Sequence, residues 1–293
     1  MIMKKRKNWL TALLSMFVLA SCSLEEDTSS FSTPDNFYQT KEQCLSALNS
    51  CYIPLNGTYN YTLFIATEAC TDIMYINSGT LDSRLDISPA KPRHGETVWN
   101  NGYKGVMYCN AAINGIENSP LEENEKLPLL GEGKIMRAFY YYDLATIFQN
   151  IPLLDKPLEV VDKSTITKSS KEEVMNFILK DLNTAIAEPN LPNAKSLPTS
   201  EIGRITKEAA MAFRARVLMF YGNYGEALKD LKAVVESGSY ELVDDYEKLF
   251  NSATEGYMSK ESVFITLRSY IPSYTGGSVC PQMNVGRGIA GGW

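Results

Sequence analysis

The stretch that decides the fold is "GRITKEAAMAFRARVLMFYGNYGEALKDLKAVVESGSYEL" at residues 203–242. Thr206 stands where a helix N-cap is needed, because its hydroxyl can accept from the free N–H groups of the first turn. Gly222 and Asn223 break the periodic run, and Gly238 ends the second half, as residues that tolerate left-handed backbone do at turns and helix ends. Ala209, Ala210 and Ala227 are small enough to let two helices approach closely, and Tyr224 is placed to wedge between them. The whole reads as a helical hairpin with the residue logic of a tetratricopeptide unit.

Upstream segments carry the same helical period. In "ETVWNNGYKGVMYCNAAINGI" Trp99, Tyr103, Val106, Asn110 and Ile113 recur every three or four residues, one face of a helix. In "GEGKIMRAFYYYDLATIFQNIPL" Ile135, Ala138, Tyr142 and Ala145 form a stripe, closed at Pro152. "SSKEEVMNFILKDLNTAI" opens with Ser170 and Glu173 at capping-box spacing. Val174, Phe177, Ile178, Leu182 and Ala185 make its buried face. A further helix follows Thr40, with Leu45, Leu48 and Tyr52 on one side. Residues 54–96 hold isolated aromatics with Pro, Gly and Asn and show no period, a long irregular stretch of the kind that carries function. Residues 152–169 read as an extended connection. "SVFITLR" at 262–268 is the one convincing strand. The expected fold class is therefore mainly α: a tetratricopeptide-like helical-hairpin solenoid with long irregular loops and little strand.

The N-terminus has a separate logic. Lys4, Lys5, Arg6 and Lys7 precede an apolar run from Trp9 to Ala20, shorter than the roughly 20 residues that span a bilayer. A basic start, a short apolar core and small residues describe a secretory signal. Its ending, Leu19-Ala20-Ser21-Cys22, looks like the lipobox of bacterial lipoproteins. That resemblance implies cleavage before Cys22 and lipidation of the cysteine, with several acyl chains giving a firm anchor. The acids Glu25, Glu26 and Asp27 resemble the export tag of surface lipoproteins; a solvated acidic linker is the alternative. The expected boundaries are 1–21 signal peptide, 22–40 acidic and polar tether, and 41–293 helical domain.

The chain has 293 residues and a net charge of −6. Removal of the four cationic side chains of the signal takes the charge to −10, which argues against nucleic acid as a partner. Beyond Cys22, the cysteines Cys44, Cys51, Cys70, Cys109 and Cys280 are odd in number and lack CxxC spacing. With one histidine, His94, they do not suggest a metal site. Cys44 and Cys51 share a helix face but are too far apart to bridge, and read as small buried hydrophobes. "GRGIAG" at 286–291 matches GxGxxG without the strand and helix that a nucleotide fingerprint needs. Glu122–Glu123 and Glu172–Glu173 read as solvated faces, and no motif proposes the paired carboxylates of a glycosidase. No cofactor is implied.

Taken in order, the lipobox at 19–22, "VWNNGYKGVMYCNAAI" at 98–113, "GEGKIMRAFYYYDLATIFQNIPLL" at 131–154, "SKEEVMNFILKDLNTAI" at 170–186, the 203–242 hairpin and "ESVFITL" at 261–267 resemble the SusD/RagB family of surface glycan-binding lipoproteins. The resemblance implies a non-enzymatic protein at the outer membrane, lipid-anchored at Cys22 and facing the cell exterior. It would bind oligosaccharide or another nutrient and pass it to a SusC-like TonB-dependent transporter. The alternatives are a lipid-anchored polysaccharide-degrading enzyme and a helical-repeat scaffold that binds no sugar. By the same resemblance the ligand lies near the first irregular stretch, which gives Tyr59, Tyr61, Asp72, Tyr75, Arg84, Arg93 and Trp99 as candidate binding residues. Sugar rings stack on aromatic faces while polar side chains take their hydroxyls. Packing of the loop by the tyrosines, a turn cap at Asp72, surface charge at Arg84 and Arg93, and a core place for Trp99 are the competing readings. Family members are longer, so the resemblance also implies that this chain lacks the C-terminal half. Helix faces which that half covers would then stand as exposed apolar patches.

Overall fold

Helix formation begins where Thr40 and Gln43 satisfy each other. The Thr40 hydroxyl accepts from the Gln43 N–H at 3.3 Å and the Gln43 side chain accepts from the Thr40 N–H at 3.1 Å, a complete capping box. The structure, a computed structural model, describes residues 37–59, 61–72, 88, 90–158, 161, 163–187, 189–247 and 260–265. Its first helix, α1, is Lys41–Ser50. It buries Cys44, Ala47 and Leu48, with Cys51 just beyond, so its inner face is turned from the expected Leu45–Leu48–Tyr52 stripe. The two cysteines fill core space as unbridged thiols.

Two short helices follow, α2 at Ile53–Thr58 and α3 at Tyr61–Thr67, then a 3-10 turn at Glu68–Cys70. This corrects the expectation of an irregular stretch from residue 54. Pro54 sits in the first turn of α2, where its missing N–H costs nothing. The run is too short for helical period to show in sequence. Residues 73–87 and 89 lie outside the described residues.

The long helices α4 (His94–Glu117) and α5 (Glu123–Phe148) lie antiparallel. Gly102 faces Leu144 and Gly105 faces Tyr140, and a Cβ on Gly105 would stand 2.3 Å from the Tyr140 ring. The helices approach because the glycines have no side chain there. α6 (Lys171–Ile186) opens with the expected capping box: the Ser170 hydroxyl accepts from the Glu173 N–H at 3.2 Å, and Glu173 accepts from the Ser170 N–H at 2.7 Å. Val174, Ile178, Leu182 and Ala185 are buried against α5, with Phe177 edge-on to Tyr141 at 5.3 Å.

A buried polar lock ties these layers. Arg137 on α5 donates to both Asp181 oxygens at 2.7 and 2.8 Å and to Asn110 Oδ1 of α4 at 2.8 Å. The Asn110 amide donates in turn to the carbonyls of Leu154 and Lys156. The connection after α5 is thereby strapped across the helices, and Pro152 pairs with Lys168 in an isolated bridge.

The hairpin of 203–242 forms with the expected caps and turn. α7 (Lys207–Phe220) is capped by Thr206, and α8 (Tyr224–Glu236) by Asn223. Gly222 and Gly238 take positive φ of 82° and 58°. Ala215 and Leu218 pack on Ala227, and Arg214 grips Asp230 with two bonds at 2.7 and 2.6 Å. Tyr224 does not wedge between the helices. It is 68% exposed, because it starts the outward face of α8. Nor do residues 262–265 form a strand. Only one backbone bond, Glu241 N–H to Lys260 O, links 241–243 to 260–265 among the described residues, and a ladder needs a repeated pattern. Residues 266–268 lie outside them. The architecture is mainly α, successive antiparallel helices each resting on the last.

Candidate functional site

Seven ring-bearing or charged side chains are the sequence-derived binding candidates, and the structure gathers some of them at the C-terminal half of α5. Tyr59 ends α2 and is 36% exposed. Its hydroxyl donates to Asp143 Oδ2 at 2.5 Å, and its ring leans on Phe139 with centroids 5.6 Å apart. Trp99 lies in the second turn of α4. It is half-buried, 4.8 Å from the Tyr103 ring and edge-on to Phe148 at 5.0 Å. Tyr103 is fixed by its own hydroxyl, which donates to the Pro152 carbonyl at 2.8 Å. Phe139, Asp143 and Phe148 all belong to α5, so Tyr59 and Trp99 reach one helix from two others.

Arg93 caps the start of α4 with φ 55° and ψ −131°. That left-handed backbone is uncommon for a residue with a side chain and is held only where the surroundings impose it. It is half-buried. Tyr61 is in α3. Asp72 is exposed just after the 3-10 turn, and no described contact joins it to Tyr59 or Trp99. Tyr75, Arg84 and Cys22 lie outside the described residues.

The chemistry around Tyr59 follows from burial. Burial, and then the charge of Asp143, push the Tyr59 hydroxyl up, so it stays a donor through the working pH range. Burial raises the Asp143 carboxyl to about 6, against the pull of the Tyr59 hydrogen bond and the Arg216 charge. The result is a partly exposed aromatic ring whose orientation is set by its own hydroxyl. A ring held in this way loses little rotamer freedom when a ligand packs on it.

Sequence reasoning missed the residues that extend this platform. Ring contacts run from Tyr59 to Phe139, then Phe213, Tyr142 and Phe220, in steps of 5.6, 5.2, 5.6 and 5.7 Å across α2, α5 and α7. Phe139 and Tyr142 are three apart, and Phe213 and Phe220 seven apart, so helical spacing was a usable signal. It missed a second polar centre as well. Glu132 of α5 is only 5% exposed and accepts from the Tyr52 hydroxyl at 2.5 Å and from Arg204 Nη1 at 3.0 Å. Burial raises its carboxyl, and Arg204 and Tyr52 oppose the rise. Residues 52, 132 and 204 share no local pattern that could have paired them. Among the described residues no group of three or more His, Cys, Asp or Glu is placed to hold a metal ion.

The model of a SusD-like family, described as starch-binding and associating with the outer membrane, matches residues 24–219. SusD-like protein P38 of Formosa agariphila is 29% identical over 251 residues, which is 82% of this chain and 48% of that protein. A solved SusD-like protein from Bacteroides fragilis shares 29% identity with a TM-score of 0.65, over 81% of this chain and 46% of that one. Surface glycan-binding protein A from Bacteroides fluxus shares 27% identity with a TM-score of 0.66, over 77% and 50%. The chain spans about half the length of the curated relatives it matches.

Proposed function

Since the chain belongs to the SusD-like family, we propose that it is a surface lipoprotein that binds oligosaccharide and delivers it to a SusC-like TonB-dependent transporter, without acting as an enzyme. The family match over residues 24–219 carries this reading. The likeness to a surface glycan-binding protein from Bacteroides fluxus supports it. Its binding residues in this proposal include Tyr59, oriented by Asp143, and Trp99, with Arg93 at the N-cap of the helix that carries Trp99. Tyr61, Asp72, Tyr75 and Arg84 are further ligand contacts in this proposal.

The anchor is the Cys22 thiol and amine after removal of residues 1–21, with 22–40 as the tether and 41–293 as the receptor domain. No helix among the described residues is long and apolar enough to cross a membrane. Attachment in this proposal rests on the lipid.

The test is calorimetric titration of the purified chain with neutral glucan and host-type oligosaccharides, followed by chromatography of the sugar. Binding with the sugar recovered intact is expected, and Trp99→Ala should weaken it at least tenfold. Shortened products would replace the receptor with an enzyme. Recovery of a barrel transporter by the tagged chain, with no affinity for any saccharide, would leave only a scaffold. Cys22→Ala should abolish labelling by an alkyne-bearing palmitate in cells.

A further inference from the structure

Tyr52 and Tyr59 flank the two ends of α2, and both send their hydroxyls to carboxylates of α5: Tyr52 to Glu132 and Tyr59 to Asp143. Seven residues separate the tyrosines, two helical turns, so they project toward the same side of α2. The Tyr59 end is the platform already described. At the Tyr52 end lies a cavity of about 350 Å³ between the end of α1, the start of α2 and the 200–204 turn. That volume falls within the range of small-ligand sites, roughly 300–1,000 Å³.

Its lining sets open polar groups beside an aromatic ring. Asn49, Asn56 and Ser200 line it, and none of their side chains has a protein hydrogen-bond partner among the described residues. Arg204 spends Nη1 on Glu132, and its Nε and Nη2 make no described bond. On the apolar side stand the Tyr52 ring and Ile53, the latter 56% exposed. The Tyr52 ring is held in place by its hydroxyl on a carboxylate that is itself buried.

Charge selects the ligand. The Arg204 cation is already matched by Glu132, and Glu201 adds a second carboxylate at the rim. The cavity therefore offers no net positive field for phosphate or sulfate. Two amides, a hydroxyl, a carboxylate and the spare guanidinium N–H groups provide donors and acceptors in mixture. A ring face beside such a mixture fits a neutral, hydroxyl-rich ring.

We infer that this cavity is a second saccharide subsite, which takes one or two residues of a neutral oligosaccharide through Asn49, Asn56, Ser200 and Arg204 with Tyr52 as its platform. The inference rests on the glycan-binding reading above and assigns a second place to the same class of ligand. Two weak sites at the two ends of α2 would also favour longer chains, since the second contact becomes intramolecular once the first is made.

The experiment titrates the full chain with neutral gluco-oligosaccharides of two and of six or more residues, in the wild type, Asn49→Ala/Asn56→Ala and Trp99→Ala. Oxidative footprinting with and without sugar accompanies it. The expected result is two sites for the short sugar in the wild type and one in each variant. Affinity for the long sugar should fall about tenfold in the double alanine variant, and Tyr52 and Ile53 should be protected in the wild type. Because neither asparagine has a side-chain partner, the thermal midpoint of that variant should match the wild type. Unchanged stoichiometry and affinity in Asn49→Ala/Asn56→Ala, with Trp99→Ala still losing binding, would overturn the second subsite and leave the proposed function standing. If the wild type binds no saccharide, both fall together.

Discussion

Two arginines each grip an aspartate on the neighbouring helix with both arms. Arg137 holds Asp181 at 2.7 and 2.8 Å, and Arg214 holds Asp230 at 2.7 and 2.6 Å. The bonds are alike, and the surroundings are not. Around Arg137 the helices α4, α5 and α6 close on every side, and the pair is 8% and 5% exposed. Arg214 sits in the outer hairpin and keeps 22% of its side chain open to solvent. The difference extends to whole helices. α5 buries residues on nearly every side from Leu129 to Ala145, whereas α8 buries only Ala227 and Asp230. In a solenoid each helix is stabilised by its neighbours, and among the described residues α8 rests chiefly on α7, with Leu179 of α6 reaching the same cluster.

The largest effect that tests this contrast is removal of the inner arginine. Arg137→Ala leaves the Asp181 carboxylate buried without its partner, and Asn110 loses its donor. The expected loss is about 3–5 kcal/mol, read from urea unfolding. Arg214→Ala leaves an aspartate only 6% exposed, but the arginine it loses already meets solvent, so water can take its place and about 1–2 kcal/mol is expected. Equal losses would mean that the two clamps do not differ as their exposure says.

Glycines give the same contrast with opposite signs. A methyl at Gly105 meets the Tyr140 ring at 2.3 Å, and Tyr140 has nowhere to go because its hydroxyl donates to the Cys51 carbonyl at 2.6 Å. Gly105→Ala should therefore destabilise by about 1–3 kcal/mol. A methyl at Gly225 on α8 meets nothing within 4 Å. Gly225→Ala should stabilise by up to about 0.5 kcal/mol through helix propensity. A thermal melt of each single variant reads both signs.

Asp143 lies on the border, on α5 but under the charge of Arg216 from α7. Its carboxyl is raised to about 6 in the folded chain, whereas an unfolded aspartate ionises near 3.9. Between those values the folded state holds a proton that the unfolded state has released. Stability from this group is therefore greatest near pH 4 and falls as pH rises through 6. The fall is on the order of 2 kcal/mol. Asp143→Asn should flatten that part of the profile, measured as urea midpoints from pH 4 to 7. A wild-type profile that rises over the same window would show the carboxyl held ionised instead.

How much of this was legible in sequence depended on the range of the interaction. The Ser170–Glu173 box, the Thr206 cap and the turn at Gly222 are local chemistry and read correctly. The buried face of α6 follows from helical period, and it too was found. Phe139 and Phe213 were missed as members of one aromatic row, since the period marks a face but not what the face meets. Arg137–Asp181 spans 44 positions and Tyr52–Glu132 spans 80, and nothing local encodes either pairing. α2 and α3 were hidden by brevity, with six and seven residues each. Of the binding candidates, Tyr59 and Trp99 were placed at one helix, and Asp72 was not joined to them.

The smallest expected effect probes the outward face of α8. Tyr224, Leu228, Leu231 and Val235 recur at helical spacing and are 68%, 52%, 36% and 78% exposed. Their apolar pattern is that of a core-facing stripe, yet the core lies on the opposite side, at Ala227 and Asp230. If the stripe contributes nothing to folding in this chain, replacing Leu228 by Gln and Val235 by Lys should shift stability by less than about 0.5 kcal/mol. Retention on a hydrophobic column should fall in the same variant, because an exposed apolar patch is what such a column binds. By contrast Leu182, wholly buried on α6, should cost about 2–5 kcal/mol on truncation to Ala. A loss of that size from the α8 pair would mean that the stripe is covered in the folded protein. The distinction between an inner layer that is closed and an outer hairpin that is open would then fail at the helix where it is most sharply drawn.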